Sequence, residues 1–298
     1  MANDFASNFT RKLAKIFLPK FESMRVLSKN VNTQLLSNVF NPDSGDTVDF
    51  KRPTDYRTSR TSDGDISGET KSSIVTGKAS GVVQNYFTVL VDYSEADEAI
   101  KMGDKTKLLD PMAARIVTDL EVDFAAYMMK NTGLLSGAPG YAVNTWAEVA
   151  RAGSVMASHG VPSDAPWCYA VNPYTQASLA DVQRSLGSGG ASSSLISEAH
   201  KKAILSENFA GMKVMSATTL ATFTTGTGAD RAGTLSASPT VTYVGAKDTM
   251  TQSLAVTAFQ ANLVVAAGET IQITGRNRLN LSTRQPIIDE TGAVVLWT

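Results

Sequence analysis

Apolar residues recur at three- and four-residue steps at the head of the chain, at Phe9, Leu13, Ile16, Phe17, Phe21, Met24 and Leu27. That spacing predicts an amphipathic helix, with Arg11, Lys12, Lys15 and Lys20 mostly off its apolar face and Pro19 kinking or splitting it. Such a helix can lie on its own domain or serve as an arm on a neighbouring subunit; a membrane-surface role would need a second anchor, which the rest of the chain does not offer. The period then changes. Residues 47–51, TVDFK, alternate as a half-buried strand does, and GVVQNYFTVLVDYS from Gly81 is strand-rich. Between them runs TSDGDISGETKSSIVTGKASG, residues 61–81, dominated by glycine, serine and threonine. A loop of that length is uncommon inside a compact domain unless it is disordered or reaches something else. A long hairpin projecting from the body fits better, with its packing supplied from outside.

Asp110 and Pro111 predict a helix start, as N-cap and first helical residue. Ile116, Leu120, Phe124 and Met128 follow at four-residue spacing, with Val117 and Tyr127 widening the stripe and Gly133 ending it. The stripe is expected to be buried. Of its carboxylates, Asp119, Glu121 and Asp123, only the first and last share a face and no histidine lies near in sequence. They are expected on a solvated or inter-subunit face. From Thr145 the pattern becomes α/β. TWAE is a capping box opening a helix that ends near Gly160, WCYAV is a buried strand, and Asn172-Pro173 opens a helix through Leu179, Val182 and Leu186. SLISEAHKKAIL predicts a further helix and GMKVMSA another strand, with the flexible loop GSGGASSS before them. From about residue 229 come the short strand patterns TVTYV, SLAVTAF, ETIQIT and AVVLW, the habit of a small barrel or sandwich. The sequence stops directly after an apolar run, so that sheet is expected to be incomplete.

The bulk composition narrows the function. With 298 residues and 43% hydrophobic content the chain can bury one large core or two to three modest ones. Its 27 basic and 28 acidic residues leave no global field to draw it onto phosphate backbones or anionic lipid. Cys168 is the single cysteine, which excludes an intrachain disulfide, and its setting PWCYAV predicts a buried, inert thiol. The N-terminus does not read as a signal peptide, and no run is long enough to cross a bilayer, so cytoplasmic synthesis is expected.

Catalytic chemistry finds no motif. The histidines, His159 and His200, lie far apart and have no metal-ligand spacing with Cys168. No G-x-S-x-G elbow exists, and Ser154 falls inside a predicted helix. Around Gly77-Lys78 the phosphate-loop pattern fails at Ser72 and Ala79. DGD at 63–65 lacks the other ligands of a calcium loop, and GSGGAS misses the dinucleotide fingerprint. These failures favour a protein whose function is contact, over a hydrolase built on residues 145–228 or an adhesin using the β-rich end.

Read in order, SGDTVDFKRP, SDGDISGETKSSIVTGKASG, DPMAARIVTDLEVDFAAYMM, YAVNPYTQASLADVQ, FAGMKVMSA and AGETIQITG resemble the coat proteins of short-tailed, podovirus-type bacteriophages. The resemblance implies an α+β chain with the tailed-phage major-capsid fold. Its parts would be an N-terminal helical arm (1–40), an extended loop with a β-hairpin (41–95), a peripheral domain with a spine helix (96–144), an axial α/β domain (145–228) and an inserted β-barrel domain (229–298). It also implies a non-enzymatic protein without cofactor or membrane partner, self-assembling into an icosahedral shell around double-stranded DNA. Rings of five and six subunits, a scaffolding protein, a portal protein and non-specifically held DNA are the implied partners, with assembly in the host cytoplasm and residence in the virion capsid. The expected inter-subunit contacts are Asp63, Gly64, Asp65, Ile66, Gly68 and Lys71 in the loop, and Arg11, Lys15 and Phe17 in the arm. Nothing matches the family's C-terminal return segment, so a fragment or partial chain is expected.

Overall fold

The computed structural model describes residues 15, 17–31, 47–51, 58–71, 78–82, 87–90, 105–137, 140–186, 199, 201–203, 205, 208–238 and 253–297. Helix and strand are mixed, as an α+β class requires. The chain divides into two compact units, one made of Met1–Asn32, Phe87–Thr225 and Ala266–Thr298, the other of Thr33–Tyr86 and Gly226–Val265.

The first unit is organised on the long helix α1 (Lys105–Asn131). Its start differs from the N-cap expectation at Asp110: the helix begins upstream and carries Pro111 inside it. Proline's fixed φ is helical, so the chain can pass through it at the loss of one N–H and some steric strain. Asp110, instead of capping, faces Lys20 at 3.3 Å. The buried face is also offset from the expected stripe. Ala113, Val117, Glu121 and Ala125 are buried, whereas Ile116, Leu120, Phe124 and Met128 are half-buried. One residue is about 100° around a helix, so both series satisfy the four-residue spacing and only packing chooses between them. Tyr127, expected to widen the stripe, is 65% exposed. Residues 17–24 are helical through Pro19, with no break there, and Phe17 and Phe21 stack at 5.7 Å. Leu27 is buried from a turn beyond that helix, against Ala125 and Ala217, with Phe124 and Met128 packed around them.

The α/β part follows the local signals closely. Thr145 caps α2 (Trp146–His159): its hydroxyl accepts from Glu148 N at 3.2 Å while Glu148 Oε2 accepts from Thr145 N at 3.0 Å. Gly160 ends the helix in the left-handed conformation, φ 88°, with Gly160 N donating to Ala157 O and Val161 N to Met156 O. Strand β3 (Cys168–Val171) runs parallel to β5 (Met212–Ser216), which pairs antiparallel with β4 (Asn208–Phe209), in the order β3-β5-β4. Asn172 Oδ1 accepts from Thr175 N at 2.7 Å and opens α3 (Pro173–Leu186). Val149, Leu179 and Met212, all under 2% exposed, join Val171, Leu205 and Phe209 in one core. Of the further helix expected over SLISEAHKKAIL, residues 199, 201 and 202 are helical and the rest lie largely outside the described residues.

The last stretch of the first unit pairs β8 (Ile273–Asn277) antiparallel with β9 (Leu296–Trp297), with bridges Leu279 to Pro286 and Ile288 to Val294. It is tied to the end of α2: Leu281 N donates to His159 O at 3.0 Å and Asn280 Nδ2 to Ser158 O at 2.7 Å. A Cβ at Gly160 would stand 3.2 Å from Asn280 Oδ1, so that position is fixed as glycine by space as well as by φ. Arg151 and Glu290 pair at 2.5 Å.

In the second unit, β1 (Thr47–Lys51) and β2 (Lys78–Val82) form the expected hairpin, antiparallel from Thr47 opposite Val82 to Lys51 opposite Lys78. Strand β2 begins earlier than Gly81, inside the polar run. The same unit holds the short antiparallel pair β6 (Thr234–Leu235) and β7 (Val256–Thr257), where the Thr234 and Thr257 hydroxyls lie 3.1 Å apart. The strand expected over TVTYV lies outside the described residues.

Candidate inter-subunit contact site

The connection between β1 and β2 is described over 58–71, and the hydrogen bonds described there run within the segment. Asp63 Oδ1 accepts from Asp65 N at 3.0 Å, and Asp65 Oδ1 from Ser67 N at 2.8 Å. These are successive turns of the kind short carboxylate side chains make. Gly64 between them holds φ +80°, a conformation that glycine adopts without strain. Glu69 N donates to Ile66 O at 3.2 Å, and the Ser59 hydroxyl closes the tip on the Glu69 carboxylate. Hydrogen bonds from Ser67, backbone first and hydroxyl second, hold the Asp65 carboxyl below the usual carboxylate range.

The tip is therefore shaped but not covered. Ile66 is 70% exposed, and Asp63, Gly64, Asp65, Gly68 and Lys71 are all exposed. These six expected contact residues stand together on one short segment, shaped locally by the Asp63, Asp65 and Ile66 hydrogen bonds. In the arm, Lys15 is exposed and Phe17 is half-buried against Phe21, while Arg11 lies outside the described residues.

The groups considered for chemistry are placed differently. Cys168 is half-buried in β3, with Sγ 3.8 Å from Pro166 O. Ser154 lies within α2 and its hydroxyl donates to Ala150 O at 3.1 Å, the back-bond of a helical serine. His159 Nδ1 is buried without a hydrogen-bond partner among the described residues, and burial, then the Arg278 charge, keeps the ring's pKa low. His200 lies outside the described residues. Among the described residues, no group of three or more His, Cys, Asp or Glu side chains is placed to hold a metal, and no helix is long and apolar enough to cross a membrane.

Glu121 departs from the solvated or inter-subunit face expected of it. It is 2% exposed, and its carboxylate accepts from Leu27 N at 2.6 Å, Val26 N at 3.4 Å, Ser28 N at 3.0 Å and Ser28 Oγ at 2.5 Å. Burial pushes its pKa up, but the Ser28 hydroxyl and the three backbone N–H groups outweigh that, and the carboxyl ends below its ordinary value. The signal for this was in the sequence. Glu121 continues the series Ala113, Val117, Ala125, and a carboxylate at that spacing in an apolar row calls for buried donors.

Comparison with known proteins gives a consistent result. The chain matches the P22 coat protein family, gene protein 5, over residues 1–295. It is 34% identical over 296 residues to the major capsid protein of Acyrthosiphon pisum secondary endosymbiont phage 1, covering 99% of this chain and 69% of that relative.

Proposed function

Because the chain belongs to the P22 coat protein family and is a structural protein of the phage capsid, assembling with its own copies into a shell, we propose that it does so with the tailed-phage major-capsid architecture. In this reading residues 1–40 are the arm, 41–95 the extended loop, 96–144 the peripheral domain on α1 and 145–228 the axial α/β domain. The β-rich stretch beginning at residue 229 is the inserted domain.

Head-to-tail contacts that close give rings of five and six subunits, and contacts between rings give an icosahedral shell. The observation that carries this reading is the loop tip. It has a defined shape and a 70% exposed isoleucine, and nothing within 58–71 covers that side chain. A neighbouring subunit lying under the loop would bury Ile66 and meet the charges of Asp63, Asp65 and Lys71. The near-zero net charge suits a wall that faces double-stranded DNA without gripping it. A scaffolding protein guiding the procapsid, and a portal replacing one ring of five, are the further partners of this reading, with assembly in the host cytoplasm.

Replacing residues 63–70 with a two-residue turn tests it. The subunit should keep its fold by circular dichroism and lose the capacity to form closed shells by negative-stain microscopy. Shells of normal yield and size from that variant would contradict the proposal.

A further inference from the structure

We propose that the Glu121 carboxylate is a clasp: it fixes the point where the N-terminal segment leaves the long helix, and residues 17–24 act as a lever about that point when subunits take non-equivalent positions in the shell. The proposal rests on the capsid role and is independent of the loop contact.

The clasped turn is closed on itself. Besides the four bonds to Glu121, Asn30 N donates to Leu27 O at 3.1 Å and Asn30 Nδ2 to Val26 O at 2.7 Å. Arg25 donates from Nε to Ser28 Oγ at 2.8 Å and from Nη2 to Ser28 O at 3.1 Å, and it pairs with Glu22 at 2.9 Å. Leu27 is 4% exposed between Ala125 and Ala217. Polar closure and apolar burial thus act on the same three residues, 26–28.

Upstream the situation reverses. None of residues 17–24 is buried. Phe17, Phe21 and Arg25 stack along the segment itself, with the Arg25 guanidinium 5.8 Å from the Phe21 ring centre. Lys20 pairs with Asp110 across to α1 at 3.3 Å, but both side chains are about two-fifths exposed, so the pair is screened by solvent and readily exchanged. A strongly held turn next to a weakly held helix is the arrangement of a hinge.

A carboxylate is needed because two oxygens must accept from three backbone N–H groups and a hydroxyl. Glutamine offers one acceptor oxygen and an amide that would face donors, and alanine offers neither. Either change leaves buried donors without partners, which lowers protection by roughly ten- to a hundredfold per lost bond.

Hydrogen exchange on the full chain, with electron microscopy of its shells, tests the clasp. In the unaltered subunit the amides of 26–28 should exchange slowly and those of 17–24 fast; equal protection in both segments overturns the proposal. In Glu121→Ala and Glu121→Gln, exchange at 26–28 should rise by about ten- to a hundredfold while β3 and β5 keep their protection, and shells should become fewer and variable in size. Unchanged exchange at 26–28, or faster exchange with uniform shells at normal yield, overturns it. Should both variants unfold, Ser28→Ala decides, since it removes one of the four donors to Glu121, with the Arg25 Nε contact, and leaves the three backbone N–H groups in place. Faster exchange at 26–28 with a broadened shell size distribution supports the clasp, and unchanged exchange or uniform shells refutes it.

Discussion

The α/β body and the loop tip satisfy the same requirements by opposite means. In the body, Val149, Leu179 and Met212 are sealed from water by one another, and both ends of α2 are capped within a few residues. In the tip, every backbone turn is satisfied locally while Ile66 stands in solvent. The body gains its order from apolar burial inside one subunit. The tip has hydrogen-bonded shape without burial, as the proposed contact with another subunit requires. A protein that must fold first and assemble afterwards is served by keeping the two apart.

The largest expected effect lies in the body. Leu179→Ala empties the centre of the core and should destabilise the subunit by about 2–5 kcal/mol, read as a fall in denaturation midpoint. Glu121 comes next. Its carboxyl is held below the ordinary value of 4.5, so its contribution is present above that pH and is lost as the pH falls through the lower, folded value. Stability followed by denaturation from neutral pH into acid should show this loss, and Glu121→Gln should lack that portion of the pH dependence. Phe124→Ala, on the half-buried stripe, should cost about 1–2 kcal/mol, below the roughly 3–5 kcal/mol of a fully buried phenylalanine. Thr145→Ala removes half of the capping box, an expected loss of about 1 kcal/mol in thermal unfolding. Ile66→Ala is the smallest in the free subunit, within about 0.5 kcal/mol, yet it should lower shell yield. A large stability loss there would place the isoleucine inside its own subunit's packing.

The elements that short sequence signals define were the ones most legible in advance. Thr145 with Glu148, Gly160, Asn172 with Pro173, and the strands at 168–171 and 212–216 all lie where residue chemistry put them, because each signal involves neighbours within a few positions. The loop tip was legible too, as composition without burial. What escaped depends on partners far along the chain. The long helix is turned by one residue from its expected face because Leu27 and Ala217, distant in sequence, choose Ala125 as their neighbour. The place of Glu121 in the row Ala113, Val117, Ala125 marks it for burial rather than for the solvated or inter-subunit face expected of it, but its donors, the N–H groups of 26–28 and the Ser28 hydroxyl, lie more than ninety positions away and no local pattern names them. The upstream start of α1 differs from the expected one because Asp110-Pro111 is a valid helix opening in isolation, and only the preceding turn, from Lys105, overrides it.

Whether the loop tip obtains its packing from another subunit is decided by hydrogen exchange over residues 58–71 in free subunits and in assembled shells. Exchange should be fast in the free subunit and strongly slowed across the tip in the shell, with the Cys168–Val171 and Met212–Ser216 strands protected alike in both. A tip that exchanges equally fast before and after assembly would contradict it.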